Sequence, residues 1–378
     1  MTRVDARFVI VGGGLAGLYA AHELERLGIS DHVLLEARPF LGGRIQSLTP
    51  QCLGPVEDPV RHDRFDLGPT WFWPALQPEL DQLITTLGLA RFEQFEVGDM
   101  LLERSPNEPP VRTSGYTNSP PSVRLVGGMA ALVEALRHRV TSGRIVVGRQ
   151  VCELRREGPH VVVVSADSAG HLHELRAEQV LLATPPRLVH EHIRFSPALP
   201  ASLARQWRDT TTWMAPHAKY VAVYDTPFWR EQGLSGEARS ARGPMGEIHD
   251  ASMPDGSAAL FGFLGIPAAM RRGVPEETLL AHCRGQFTRL FGPQAATPKA
   301  ELIKDWAQDV WTATASDLAA PAAHASAPAA LVSVGDWRGR IVGVASEWSP
   351  QFPGYVAGAI EAARLGVQSM LLTGAAPL

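Results

Sequence analysis

Apolar residues run unbroken from Phe8 to Val11, give way to glycines at 12, 13, 14 and 17, resume at helical spacing, and end in a second apolar run closed by Glu36. That pattern predicts a strand, a tight turn, a helix and a second strand within the first forty residues. Further along, Leu80, Leu83, Ile84 and Leu87 fit one helix face, and 126–140 reads as a helix entered through glycine. Short apolar runs predict strands at 145–147, 151–155, 160–165 and 180–183, the last running into Thr184, Pro185 and Pro186, where a tight crossing turn is expected. Segments 220–224 and 258–264 suggest an antiparallel sheet, with a helix over 276–290. A strand over 340–345 and a helix from about 355 to 372 close the chain. Five prolines between Arg104 and Ser122 predict an irregular surface loop, with a lid as one reading of it. The alanine-rich stretch 319–330 reads as an exposed connection without chemistry.

The glycine turn adds chemistry to the first of these elements. Gly12 lets the chain turn sharply after the strand, Gly14 lets backbone N–H groups approach a pyrophosphate, and Gly17 lets the helix pack close to the strand. Glu36 lies at the spacing from which a carboxylate grips a ribose diol, which makes the segment a dinucleotide-binding unit. Arg38, Gly42, Gly43 and Arg44 form a second small-residue turn with guanidinium groups suited to further phosphate.

Composition narrows the rest. With 378 residues, 45% hydrophobic and 20% charged, the chain is long enough for two domains with substantial cores. A formal charge of -4 with no basic run leaves no support for nucleic acid or an anionic membrane, so a small-molecule partner is expected. The first strand begins near Met1 and no apolar run is long enough to span a bilayer, which predicts a soluble, cytoplasmic protein. Cys52, Cys152 and Cys283 are far apart and without CxxC spacing, so they read as reduced bystanders. His171 with His173, and His190 with His192, have chelating spacing but no cysteine or carboxylate cluster nearby, and no metal is expected. No GxSxG, HExxH or P-loop lysine is present, which removes hydrolase, metalloprotease and NTPase readings. Of 35 basic residues only Lys219, Lys299 and Lys304 are lysines, so each lysine invites a reason. Lys219 shares a strand face with Val221 and Val223 and should point with them into a pocket.

Six blocks, in order, resemble the flavin-containing amine oxidases of the monoamine and polyamine oxidase type: VGGGLAG with EARPFLGGR; FDLGPTW; LVGGMAALVEAL; LLATPP with IRFSPALP; HAKYVAVYDTPFW; and RIVGVASEW with GYVAGAIEAA. The resemblance runs nearly end to end. It implies an α/β fold: a discontinuous FAD-binding Rossmann-like domain of the glutathione-reductase type over 1–75, 127–208 and 306–378, with an α+β substrate domain inserted over 76–126 and 209–305. It implies that Gly12, Gly14, Gly17, Glu36, Arg38, Gly43 and Arg44 hold the ADP half and pyrophosphate. Gly68, Pro69 and Thr70 would line the flavin ring, Val151 the adenine side, and Glu347 with Val356 the ribityl and ring end.

Lys219 falls where the family keeps a lysine that hydrogen-bonds a water facing flavin N5. Tyr355 matches one wall of the family's aromatic sandwich for the amine. The other wall falls near Ser316, and the cysteine that binds flavin covalently in monoamine oxidases falls near Ala315, so the FAD should be noncovalent. Trp71, Trp311, Trp348 or Phe352 would then have to close the cage. Trp71 also stands where amino-acid oxidases carry an arginine for the substrate carboxylate, which disfavours an amino-acid substrate. The implied reaction is oxidation of a primary or secondary amine with O2, giving imine and hydrogen peroxide. A desaturase acting on a non-amine and a catalytically idle flavoprotein are the alternatives. The sequence sets no oligomeric state and does not name the amine.

Overall fold

The computed structural model describes residues 4–48, 63–254, 256–319 and 326–374. Two compact units divide the chain, one made of Met1–Arg44, Leu132–Ala215 and Val310–Leu378, the other of Ile45–Ala131 and Pro216–Asp309.

The first unit is built on an eight-stranded sheet. Val4–Val11 lies between Leu172–Leu182 and His32–Leu35, parallel to both, and Arg144–Val146 extends the parallel part beyond His32–Leu35. Strands buried on both faces need no polar alternation, which is why Phe8 to Val11 reads as a continuous apolar run. On the far side, Gln150–Glu157 and His160–Ala166 form an antiparallel hairpin against Leu172–Leu182. The late strand Ile341–Gly343 returns to pair in parallel with the end of Leu172–Leu182. Helices Leu15–Arg26 and Val356–Gly374 pack on each other, so both ends of the chain meet in this unit. Three tryptophans, Trp207, Trp337 and Trp348, are fully interior. Trp207 meets Trp348 edge-on at 5.5 Å, and indole N–H groups of Trp207 and Trp337 donate to the carbonyls of Ala329 and Pro197.

The second unit holds a seven-stranded sheet in the order Ala300–Asp305, Ala218–Tyr224, Ala258–Leu264, Met245–Asp250, Leu234–Ser240, Asp99–Glu103 and Val111–Ser114. Helix Glu276–Phe291 covers one face with Cys283, Phe287 and Leu290 against Tyr220, Ala222 and Leu260. The opposite face carries Val221, Val223, Ala259 and Phe261 packed with Phe65, Leu67 and Met253.

The proline-rich segment is more regular than its sequence suggests. Val111–Ser114 is an exposed strand paired antiparallel with Asp99–Glu103 at the edge of the sheet. Prolines 109, 110, 120 and 121 lie outside this strand, so their missing N–H groups cost the ladder nothing. Leu234–Ser240, Met245–Asp250 and Ala300–Asp305 are strands that apolar patterning did not reveal. Cys52 and 320–325 of the alanine-rich stretch lie outside the described residues; Cys152 and Cys283 are free thiols. Among the described residues no helix is long and apolar enough to cross a membrane, and no group of three histidine, cysteine or acidic residues is placed to hold a metal.

Candidate active site

In the first unit, Gly12 adopts φ +109°, and a Cβ there would meet the Ala183 carbonyl oxygen and Thr184 Oγ1 at 2.8 Å. A Cβ on Gly17 would overlap the Gly12 carbonyl. Around Gly14 the nearest atoms to such a Cβ are 3.8 Å away, which leaves open approach at the start of helix Leu15–Arg26. No side chain caps that helix start, so its first N–H groups and the positive end of its dipole are available to an anion. Glu36 is 4% exposed, and its carboxylate accepts from the Gly13 and Arg38 amides at 2.6 and 2.8 Å. Two of roughly four lone-pair directions remain for a diol. The second turn docks on the first: Gly42 N–H donates to the Gly13 carbonyl at 2.9 Å, with Gly42 and Gly43 at positive φ.

The two arginines are engaged in ways that the sequence did not show. Arg38 donates to Thr312 Oγ1 at 3.2 Å, and Arg44 forms a bidentate pair with Glu347 at 2.5 and 3.0 Å while also reaching Ser346 Oγ. Glu347 is thereby held against residues 303 positions earlier. Val151 is 5% exposed within the apolar core, and half-buried Val356 opens the final helix. A cradle that glycine alone fits, an uncapped helix start and a buried acid with spare acceptor capacity suit the ADP half of FAD.

In the second unit, Lys219 is 2% exposed. Its ammonium donates to Thr70 Oγ1 at 2.5 Å and to the Gly68 carbonyl at 3.2 Å, and lies 3.9 Å from the centre of the Phe261 ring. The expected alternation with Val221 and Val223 holds, because one face of Ala218–Tyr224 turns away from the covering helix. Half-buried Pro69 and buried Thr70 follow Leu67, whose carbonyl takes the Trp306 indole N–H at 3.0 Å. Beneath lie Asp66, bonded by the Met129 amide and Ser47 Oγ, and buried Arg124, which donates to the carbonyls of Ala251 and Ser252.

Burial pulls the Lys219 ammonium down to about 7; Asp66 opposes that pull and Arg124 adds to it. The same burial raises Asp66, against Lys219 and Arg124. Below about pH 7 folded and unfolded chains both carry the Lys219 proton, whereas between about 7 and the ordinary 10.5 the unfolded chain binds it more. The unfolding free energy should therefore rise with pH across that window by more than about 1 kcal/mol. Urea titrations at pH 7, 8 and 9 check this, and the rise should be lost in Lys219→Met.

Trp71 stands in an aromatic panel beside this lysine. Its ring lies 4.9 Å from His249 and 5.4 Å from Phe261, and its N–H donates to Gln94 Oε1 at 2.8 Å. His249 bonds Glu247 at 2.7 Å, and Glu247 also pairs with Arg239. His249, Glu247, Asp66 and Arg124 escaped the sequence reading; alternation within Met245–Asp250, which puts Glu247 and His249 on one face, is the signal that would have found the first two.

Tyr355 belongs to the first unit, 40% exposed just before the final helix. Ala315 and Ser316 are exposed on the short helix Ala315–Ala319, which is anchored instead by Asp317, buried and bonded to Arg187 at 2.5 Å. Of the substitutes considered for the second wall, Trp348 is committed to the core, Trp311 meets His192 edge-on at 6.3 Å, and Phe352 is half-buried.

Residues 111–371 match the model for flavin containing amine oxidoreductase, and residues 10–87 match an NAD(P)-binding Rossmann-like domain. A probable flavin-containing monoamine oxidase A of Dictyostelium discoideum is 24% identical over 80% of this chain and 84% of that protein. Putrescine oxidase of Kocuria rosea is 28% identical over 50% of this chain and 41% of its own, and pig flavin-containing amine oxidase B is 25% identical over 69% and 49%. The latter two matches thus span less than half of those proteins. Among solved structures, putrescine oxidase bound to putrescine superposes with a TM-score of 0.76 at 19% identity, over 99% of this chain and all of the other. Cyclohexylamine oxidase from Brevibacterium oxydans gives 0.77 at 19% identity, over 97% and 98%. These superpositions bear out the expected α/β fold with its Rossmann-like part, and with the model match over 111–371 the chain belongs to the flavin-containing amine oxidoreductase family.

Proposed function

We propose that this protein oxidises a primary or secondary amine at the carbon next to nitrogen, using noncovalent FAD and O2, and yields an imine and hydrogen peroxide. When bound, FAD would supply the two-electron redox chemistry between amine and O2. The chain's residues bind, orient and exclude water. Gly12, Gly14, Gly17 and Glu36 would hold the ADP half, with Arg38, Gly43 and Arg44 on the pyrophosphate side. Val151, Glu347 and Val356 keep the adenine, ribityl and ring assignments that the family resemblance implies, and Gly68, Pro69 and Thr70 the flavin ring. In this assignment 1–75, 127–208 and 306–378 serve the cofactor and 76–126 with 209–305 the substrate.

The observation that carries the reading is the buried Lys219, held by Thr70 and Gly68 in a chain that otherwise prefers arginine. A compact ammonium can bond two protein oxygens and still offer a hydrogen to a water, and it suits such a water bridge better than a planar guanidinium. Tyr355 would align the amine, and Trp71 would line the substrate region. Noncovalent attachment is supported by alanine at position 315 and, among the described residues, by Cys152 in a sheet hairpin and Cys283 beneath a helix.

Peroxide release in air-saturated buffer with a panel of mono-, di- and polyamines tests the proposal. At least one primary or secondary amine should give peroxide in step with substrate loss. Turnover of a non-amine with no response to any amine would transfer the chain to a desaturase role, and no turnover at all to an idle flavoprotein.

A further inference from the structure

An amine substrate arrives as an ammonium ion, since alkylamines titrate near ~10 like lysine. Its nitrogen lone pair is then tied up in an N–H bond and cannot support oxidation at the neighbouring carbon. A proton acceptor is needed, and Lys219 Nζ is turned to Thr70 Oγ1 and the Gly68 carbonyl.

We propose that His249, oriented by Glu247, takes the proton from the substrate ammonium before oxidation, an inference that rests on the amine-oxidase reading above. The substrate N–H bond breaks with its electron pair left on nitrogen, a new N–H bond forms at His249 Nδ1, and the imidazolium later returns its proton to water.

Register sets the placement. Across the sheet Lys219 is opposite Phe263, and Phe263 is opposite Glu247; one step along, Val221 is opposite Phe261 and Phe261 opposite His249. All six side chains therefore share one face, with His249 two strands from the lysine strand, roughly 10 Å across the sheet. His249 Nε2 lies 2.7 Å from Glu247 Oε1. Burial pushes Glu247 up, but hydrogen bonds from His249 and Arg239 outweigh it and hold the carboxyl at about 2. An ionised carboxylate only accepts, so Nε2 carries the hydrogen and Nδ1 keeps the basic lone pair. The imidazole stands edge-on to Trp71 at 4.9 Å and tilted on Phe261 at 5.4 Å, with its side chain 13% exposed. Aromatic rings of this kind attract an approaching cation.

Charged groups on the neighbouring strands border this pair. On the adjacent strand Arg239 pairs with Glu247 at 2.5 Å and Glu237 at 3.2 Å, and the Tyr116 hydroxyl donates to Glu237 at 2.9 Å. Two carboxylates share the one guanidinium beside the imidazole. Lys219 lies two strands away, and Lys304 beyond it pairs with Asp309 at 3.0 Å.

The test is the rate of anaerobic flavin bleaching from pH 6 to 10 by benzylamine, cyclohexylamine or putrescine, whichever acts fastest, in wild type, His249→Asn and Glu247→Gln. His249→Asn should be ~100-fold slower at pH 7 and approach wild type at pH 10, where the amine supplies its own neutral form. Glu247→Gln should move the acidic limb of the profile downward, because the imidazole loses its anionic partner. A His249→Asn profile that follows wild type, or lies below it by one factor at every pH while flavin content and circular dichroism are unchanged, overturns the proposal. Wild-type flavin that no amine bleaches at any pH overturns the oxidase reading itself, and this step with it.

Discussion

Lys219→Met should remain yellow and folded yet reduce or reoxidise its flavin ~10²-fold more slowly, the lower end of what a positioned proton-handling group contributes. Methionine matches the length and flexibility of the lysine stem and suits the space beside Phe261 and Phe263. It removes the donor that ties Thr70 Oγ1 to the Gly68 carbonyl and would hold the water, while Arg124 remains to balance buried Asp66. The glycine turn belongs to the other unit and is untouched, so flavin content separates this effect from cofactor loss. Lys219→Arg should not restore the rate, because a planar fork cannot take the place of a single ammonium between one hydroxyl and one carbonyl. Stopped-flow traces of both half-reactions read the result, and unchanged rates would remove Lys219 from the mechanism.

The second large effect is expected at Gly17. An added Cβ would overlap a backbone oxygen of Gly12, not the tip of a mobile side chain, so relief requires the helix to move off its strand. Overpacking of a tight site costs about 1–3 kcal/mol, and a backbone clash belongs at the upper end. Gly17→Ala should therefore weaken FAD binding by about a hundredfold and lower the melting temperature in parallel. Gly28→Ala is the control: Gly28, unlike Gly17, has a positive φ, but a Cβ there meets open space, so FAD binding should be preserved. Equal flavin affinity in wild type and Gly17→Ala would show that the turn does not hold the cofactor.

Local order in this molecule was legible where neighbours in sequence are neighbours in space. The strand, turn and helix of residues 4–26 follow from apolar runs and glycine positions alone, and the burial of Lys219 follows from two-residue alternation with Val221 and Val223. Pairings across the chain were not legible. Arg44 and Glu347 lie 303 residues apart, and nothing local marks the arginine as occupied by a carboxylate. Val111–Ser114 has no apolar face because it is an exposed sheet edge, so its patterning carries no strand signal. Met245–Asp250 hid its polar pair because Glu247 and His249 stabilise each other in a half-buried setting that hydropathy scores as surface. The absent second cage wall was visible as Ser316, whereas the anchoring of its helix through Asp317 and Arg187 was not.

An anaerobic titration of the purified protein with amines, followed by readmission of air, tests whether it is a flavin-dependent amine oxidase. The protein should be yellow, with flavin absorbance that a primary or secondary amine bleaches and that returns in air with release of peroxide. A colourless protein that takes up no FAD, or a bound flavin that no amine bleaches, would contradict that assignment.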